Sequence, residues 1–150
     1  MEYYEDLKIG MLRRFGRYEV TREEVLEFAS KYDPQPFHLD DDAAAATHFG
    51  KLAASGWHTC SMTMAMMVAN LEENPRAVLG ALGIEDLRWL KSVHPGDVLS
   101  CETELLEKRR SASRPGTGIL KFRTSVFNQD GVEVLRMHPS TLVRTRGEAD

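Results

Sequence analysis

The sequence predicts an α+β fold, in which a curved antiparallel sheet of about five strands wraps around one long, apolar central helix. Over about 58–71 apolar residues fall on nearly every side of a helix, which predicts a helix that other structure surrounds. After residue 78 apolar residues instead recur at every second position, the period of β-strands. Winding the sheet around the helix is the economical way for both to bury their apolar surfaces.

The length and composition indicate a single globular domain over 1–150, with 42% hydrophobic and 28% charged residues. A net charge of -4 weighs against a nucleic-acid partner. The acidic N-terminus argues against a signal peptide, and the absence of a long apolar run argues against a membrane span. Cys60 and Cys101 are far apart and are predicted to be reduced thiols, so we expect a cytoplasmic protein.

The first half of the chain is predicted to hold a short strand over about 11–18 and an amphipathic helix over 21–32. Thr21, with Glu24 three residues later, is typical of a capping box at the start of that helix. Three consecutive aspartates from Asp40 predict a short helix that ends near His48, because acidic residues suit a helix N-terminus. The apolar helix follows, and Pro75 prevents its continuation.

The second half is predicted to be strands over about 79–89, 98–108, 118–127 and 132–145. The third of these alternates most clearly between apolar and polar residues. Pro139 falls inside the last strand, where it cannot donate a ladder hydrogen bond. It therefore predicts a β-bulge or an edge position.

A stiff loop follows the first helix and carries two groups that could perform chemistry. Its residues are Asp33, Pro34, Gln35, Pro36, Phe37, His38, Leu39 and Asp40. The two prolines restrict the backbone, so the Asp33 carboxylate and the His38 imidazole could both reach one water and act as general acid and base. The alternative is that Asp33 caps a turn and His38 packs at the end of the loop.

Ser55 and Gly56 precede the apolar helix and form a second candidate site. Gly56 has no Cβ, so a ligand could approach free N–H groups at the positive end of the helix dipole. Alternatively, Ser55 is an ordinary N-cap and Gly56 lets helix and sheet approach each other. Neither His58 nor Cys60 has the spacing of a zinc site, and no nucleotide-binding fingerprint is present, so we predict neither metal nor cofactor.

The loop from Asp33 to Asp40, followed by a buried helix that begins near Ser55, resembles the MaoC-like dehydratases, which include the R-specific enoyl-CoA hydratases. The resemblance extends through the run from Val93 to Asp97 and the closing strands, and so covers most of the chain. It implies the hotdog fold, an antiparallel sheet wrapped around a central helix. That fold agrees with the architecture predicted from the apolar pattern.

Carried over by position, the resemblance places the family's catalytic aspartate at Asp33 and its catalytic histidine at His38. The residues that complete the motif are Pro34, Gln35, Pro36, Phe37 and Asp40. Gln35 is a departure, because the usual motif has asparagine there. The resemblance also implies that the Gly56 amide polarises a thioester carbonyl, with Ser55 and Trp57 beside it in the substrate site.

The implied activity is reversible hydration of a 2-enoyl-CoA-type thioester to an R-3-hydroxyacyl thioester, without a cofactor. The implied assembly is a homodimer, or a larger oligomer, in which two sheets pair edge to edge. Two alternatives are an acyl-CoA thioesterase of the same fold and a non-catalytic acyl-CoA-binding module. Many hotdog thioesterases carry a catalytic carboxylate on the central helix, and residues 56–70 contain none.

Overall fold

Five antiparallel strands form one sheet in the computed structural model, which describes residues 1–147. The strands are β1 (Leu12–Glu19), β2 (Val78–Trp89), β3 (Val98–Arg110), β4 (Thr117–Phe127) and β5 (Glu133–Arg144). Their order across the sheet is β1-β3-β4-β5-β2, so β1 and β2 are the edges. All the predicted strands are confirmed, with ends that differ from the predictions by one or two residues.

Three α-helices lie between β1 and β2 in the chain: α1 (Arg22–Tyr32), α2 (Asp41–Ala45) and α3 (Gly56–Glu73). Short 3-10 turns occur at Tyr4–Asp6 and Pro36–His38. The central helix α3 is two residues longer at each end than the sequence predicts. None of the helices in residues 1–147 is both long enough and apolar enough to span a membrane.

The sheet packs against one side of α3, and this interface forms the main core. Met62 and Met66 of the helix are buried there among side chains that include Leu99, Val126 and Leu135 of the sheet. The opposite side of α3 is open, because Met64 is 53% exposed. The predicted sheet wrapped on a long central helix is confirmed, although the helix is less clearly apolar than predicted. Within residues 1–147 the sheet covers one side of α3, so the further expectation that other structure surrounds the helix is not met.

Pro139 lies in β5, which runs between β4 and β2, so the predicted edge position is wrong. Pro139 pairs with Ile84 of β2, and the β2–β5 register shifts on both sides of that pair. One of the shifts follows Glu85, and Asp86 there has a positive φ of 49°. A β-bulge, the other predicted possibility, is thus present in this region, and the extra residues belong to β2.

The predicted capping box is only half formed. Thr21 accepts a hydrogen bond from the Glu24 amide at 3.2 Å, as expected. The Glu24 carboxylate instead accepts hydrogen bonds from the Tyr18 hydroxyl and from His58 Nε2, the latter at 3.0 Å. Glu24 therefore joins α1 to β1 and to the beginning of α3, where the sequence predicted a purely local contact.

Candidate active site

Asp33 and His38 are brought together by the short connection between α1 and α2. Asp33 follows directly on α1, and Pro36 begins the 3-10 turn that ends at His38. This turn folds the chain back, so that His38 Nε2 lies 3.4 Å from Asp33 Oδ2. The stiff loop therefore places the carboxylate and the imidazole side by side.

The His38 ring is buried and its orientation is fixed. Nδ1 lies 2.7 Å from the backbone oxygen of Ala53, and because a carbonyl can only accept, Nδ1 carries the proton. Phe37 packs edge-on against the ring at 4.6 Å, and Phe49 lies 5.9 Å away. In a neutral ring the free lone pair is therefore on Nε2, directed at Asp33.

Two hydrogen bonds hold the Asp33 carboxylate. The Gln35 side-chain amide donates to Oδ1 at 2.7 Å, and the Ser55 hydroxyl donates to Oδ2 at 2.7 Å. Burial acts to raise the pKa of Asp33, but these two bonds and the nearby His38 outweigh it, so the pKa lies below its usual value. Asp33 is therefore held as a carboxylate, and the longer Gln35 side chain still reaches it.

Ser55 is the N-cap residue of α3, but its side chain does not cap the helix. The interpretation of Ser55 as an ordinary N-cap is therefore wrong, because its hydroxyl is committed to Asp33. The Gly56 amide has no acceptor among residues 1–147, and Gly56 lines the cavity beside Asp33 and His38. The start of α3 and the loop after α1 therefore meet at this cavity.

Gly56 is needed for close packing. A Cβ there would lie 2.6 Å from the Trp89 ring, and the Trp89 indole donates to the Gly56 carbonyl at 2.8 Å. The alternative in which Gly56 lets helix and sheet approach each other thus describes this contact. The two functions are compatible, because Trp89 occupies the space beside Gly56 and bonds to its carbonyl, while the N–H has no partner among residues 1–147.

A cavity of about 590 Å³ opens beside these groups, within the usual range for small-molecule sites. Asp33, His38 and Gly56 lie in its wall, and so does the expected Trp57. Trp57 meets Trp89 edge to face, with ring centroids 5.3 Å apart. The polar and aromatic walls would suit a ligand that has both a reactive polar group and an apolar chain.

The sequence interpretation missed several residues of this wall, among them His48, Trp89 and Lys91. Trp89 and Lys91 come from the end of β2 and the segment after it, so only the tertiary fold brings them to Asp33. One signal that could have identified Trp89 was its place as an aromatic residue at the end of a predicted strand, shortly before Val93.

Asp40 is not in the cavity wall. Its carboxylate accepts from the Ala43 amide at 2.9 Å and so caps α2.

A second histidine holds the segment that leads into α3. His94 Nδ1 bonds to the Leu52 oxygen at 2.8 Å, next to the Ala53 oxygen that receives His38. Residues 52–55 are all buried. The imidazoles of His94 and His38 therefore hold the consecutive carbonyls of Leu52 and Ala53, in the buried segment that leads to Ser55.

Within residues 1–147, no three His, Cys, Asp or Glu side chains are grouped to hold a metal ion.

A family model described as a MaoC like domain matches residues 7–124, which include the loop, α3, the whole of β1, β2 and β3, and most of β4. The chain belongs to the MaoC-like dehydratase family. The resemblance and the hotdog fold inferred from the sequence are thus confirmed, and the family is one of hydratases and dehydratases.

Three relatives of this MaoC-like protein are informative. A MaoC-like dehydratase from Rhodospirillum rubrum is 37% identical, with a TM-score of 0.87 over 97% of this chain and 99% of the other. An R-hydratase from Pseudomonas aeruginosa is 26% identical, with a TM-score of 0.70 over 96% and 86% of the two chains. A 3-hydroxybutyryl-CoA dehydratase from Methylorubrum extorquens is 31% identical over 106 residues, or 70% of this chain and 64% of the relative.

Proposed function

We propose that this protein reversibly adds water to the double bond of a 2-enoyl-CoA-type thioester, giving an R-3-hydroxyacyl thioester. The observation that carries the proposal is the pair of Asp33 Oδ2 and His38 Nε2, 3.4 Å apart in the wall of the cavity. The relatives named as a 3-hydroxybutyryl-CoA dehydratase and an R-hydratase support the substrate class and the stereochemistry.

In the proposed mechanism Asp33 and His38 bind one water between them. Asp33 is held as a carboxylate and His38 presents an Nε2 lone pair, so both can accept hydrogen bonds from that water. The water oxygen bonds to C3 while the pair takes one of its protons, and the pair then delivers that proton to C2. The carbon–carbon double bond becomes single, and the reverse sequence releases water.

Negative charge reaches the thioester oxygen during this addition, and the Gly56 N–H is the proposed donor to it. That amide is unpaired among the described residues and belongs to the first turn of α3, at the positive end of the helix dipole. Ser55 acts through Asp33 in this scheme, and Trp57 forms part of the wall for the acyl-CoA. No step requires a metal or an organic cofactor.

We further propose that the protein works as a homodimer joined at β2. This edge strand is exposed along nearly its whole length and carries large apolar side chains: Val78, Leu79, Leu82, Ile84 and Trp89. The other edge, β1, carries Arg13, Arg14 and Arg17, which discourage strand pairing. A long apolar edge with unpaired backbone groups is suited to the same edge of a second copy.

The activity is tested by incubating the purified protein with short and medium 2-enoyl-CoAs. Loss of the conjugated absorbance and formation of the R-3-hydroxyacyl product are followed for wild type, Asp33→Asn and His38→Ala. We expect both folded variants to lose on the order of a hundredfold or more in rate. Wild-type rates retained in either variant would exclude that residue from the reacting pair.

The same assay separates the two alternatives. Release of free thiol from acyl-CoA, without hydration, would identify a thioesterase. Binding of acyl-CoA with neither reaction would identify a binding module, and the hydratase proposal would then be wrong.

A further inference from the structure

Trp89 bonds to the first turn of α3 and packs against it. Its Nε1 donates to the Gly56 carbonyl at 2.8 Å. Its ring also fills the space that a side chain at position 56 would occupy, because Nε1 and Cε2 each lie 2.6 Å from where a Cβ would stand. The indole therefore both bonds to Gly56 and packs on it.

We propose that Trp89 is a positioning residue that fixes the direction of the Gly56 N–H. The inference rests on the proposed function, since that amide matters only if it binds the thioester oxygen. The N–H shares a planar peptide unit with the Ser55 carbonyl, which accepts from the Thr59 amide at 3.1 Å. The Ser55 hydroxyl is bound to Asp33 on one side of this unit, and the Gly56 carbonyl is bound to Trp89 on the other.

The physical reason is the freedom of glycine. Gly56 has no Cβ to restrict its backbone, and a first helical residue lacks an intrahelical bond at its N–H. A donor stabilises developing charge most when its direction is set before the reaction. The Thr59 amide holds the peptide unit before Gly56, and Trp89 adds a restraint on the unit after it. Because Trp89 belongs to the end of β2, it couples the sheet edge to the oxyanion donor.

Trp57 provides a natural comparison, because it is the same residue type in the same cavity wall. It contacts Trp89 edge to face at 5.3 Å, but within residues 1–147 its indole has no hydrogen bond to the first turn of α3. Trp57 is also more exposed, at 60% against 45% for Trp89. We therefore expect Trp57 to affect substrate binding and Trp89 to affect the reaction step.

The test compares Trp89→Phe with Trp57→Phe. We expect Trp89→Phe to lower kcat about tenfold, the effect of losing one hydrogen bond, with a small change in KM. Trp57→Phe should raise KM and change kcat little. The direct readout is the infrared carbonyl stretch of bound butyryl-CoA labelled with carbon-13 at C1, a saturated thioester that cannot be hydrated.

The Gly56 N–H should lower that frequency in the wild type, and Trp89→Phe should return it toward the solution value while Trp57→Phe leaves it lowered. An unchanged frequency in folded Trp89→Phe overturns the inference, even if kcat falls. If Trp89→Phe does not fold, benzothienylalanine is incorporated at position 89 in a Trp57→Phe background. This analogue keeps the bicyclic ring shape and has a sulfur atom in place of the N–H, so it cannot donate the hydrogen bond.

The outcomes for the two proposals can be told apart. If the wild type hydrates no enoyl-CoA, the proposed function fails, while the carbonyl frequency of butyryl-CoA still decides whether Trp89 orients the amide. If the wild type hydrates and the frequency does not respond to position 89, only the inference about Trp89 fails. If no CoA thioester binds, both are overturned.

Discussion

Ser55 Oγ donates a hydrogen bond to Asp33 Oδ2 at 2.7 Å, and the same carboxylate oxygen faces His38 Nε2 at 3.4 Å. While its backbone carbonyl accepts from the Thr59 amide of the helix at 3.1 Å, the side chain of the N-cap residue of α3 is thus bonded to the loop after α1. This single contact ties the orientation of the carboxylate to the start of the helix that carries Gly56. Three proposed components of the site therefore share one rigid framework.

Replacing Ser55 by alanine should lower kcat/KM by about tenfold or more, because hydrogen bonds to charged groups contribute about 1.5–3 kcal/mol. The pKa of Asp33 should also rise, since one of the bonds that lower it is lost. The acid side of the pH–rate profile should therefore move to higher pH. Ser61→Ala is the matched control, because Ser61 lies on the exposed side of α3 and its hydroxyl donates, among residues 1–147, only to the Trp57 oxygen. A profile in Ser55→Ala that matches the control would contradict this role.

Gln35→Glu is a nearly isosteric change that replaces the amide donor to Asp33 Oδ1 with a negative charge. Repulsion between the two carboxylates should raise the pKa of Asp33 and slow the reaction. Gln35→Asn, which restores the residue usual in the family motif, should stay closer to wild type. The pH dependence of kcat/KM distinguishes the two variants, and equal profiles would show that Gln35 does not influence Asp33.

Stability should depend on pH through Asp33. Its pKa is lower in the folded protein than in the unfolded chain, where it is about 3.9. The carboxylate therefore stabilises the fold fully above that value, and the contribution disappears as pH falls through the lower, folded pKa. The free energy of unfolding in urea, compared between wild type and Asp33→Asn, should differ most near neutrality. The difference should shrink in acid, and one that stays constant from pH 7 to pH 3 would be inconsistent with the lowered pKa.

Leu82→Lys should dissociate the proposed homodimer, because it places a charge on the apolar edge strand β2, where Leu82 is 53% exposed. Light scattering after size-exclusion chromatography measures the mass directly. Leu12→Lys is the control, since Leu12 is 45% exposed on the opposite edge, β1. A dimer that survives Leu82→Lys but not Leu12→Lys would move the interface to β1.

The sequence predicted those features that depend on local pattern. Asp33 and His38 are separated by five positions and two prolines, so the chain geometry alone suggested that they could meet. The alternation of the strands likewise predicted the sheet. Trp89 could not be assigned in this way, because its contact with Gly56 depends on how β2 lies against α3.

Glu24 likewise makes tertiary contacts that a local sequence motif could not predict. Its spacing from Thr21 predicted a capping box, yet tertiary contacts with Tyr18 and His58 take the carboxylate away. The outer side of α3 is a further case, because an apolar helix surface does not reveal whether the same chain or a second copy covers it. These are interactions between distant segments, on which the period of a single segment carries no information.

Trp57 and Trp89 are the two tryptophans of the chain, and both stand in the cavity wall. All of the protein's tryptophan fluorescence therefore originates at the proposed site, so ligand occupancy can be followed without a label. The same emission would report the melting of this region alone. Far-UV circular dichroism would follow the sheet as a whole, and a gap between the two melting curves would measure how independently the site loosens.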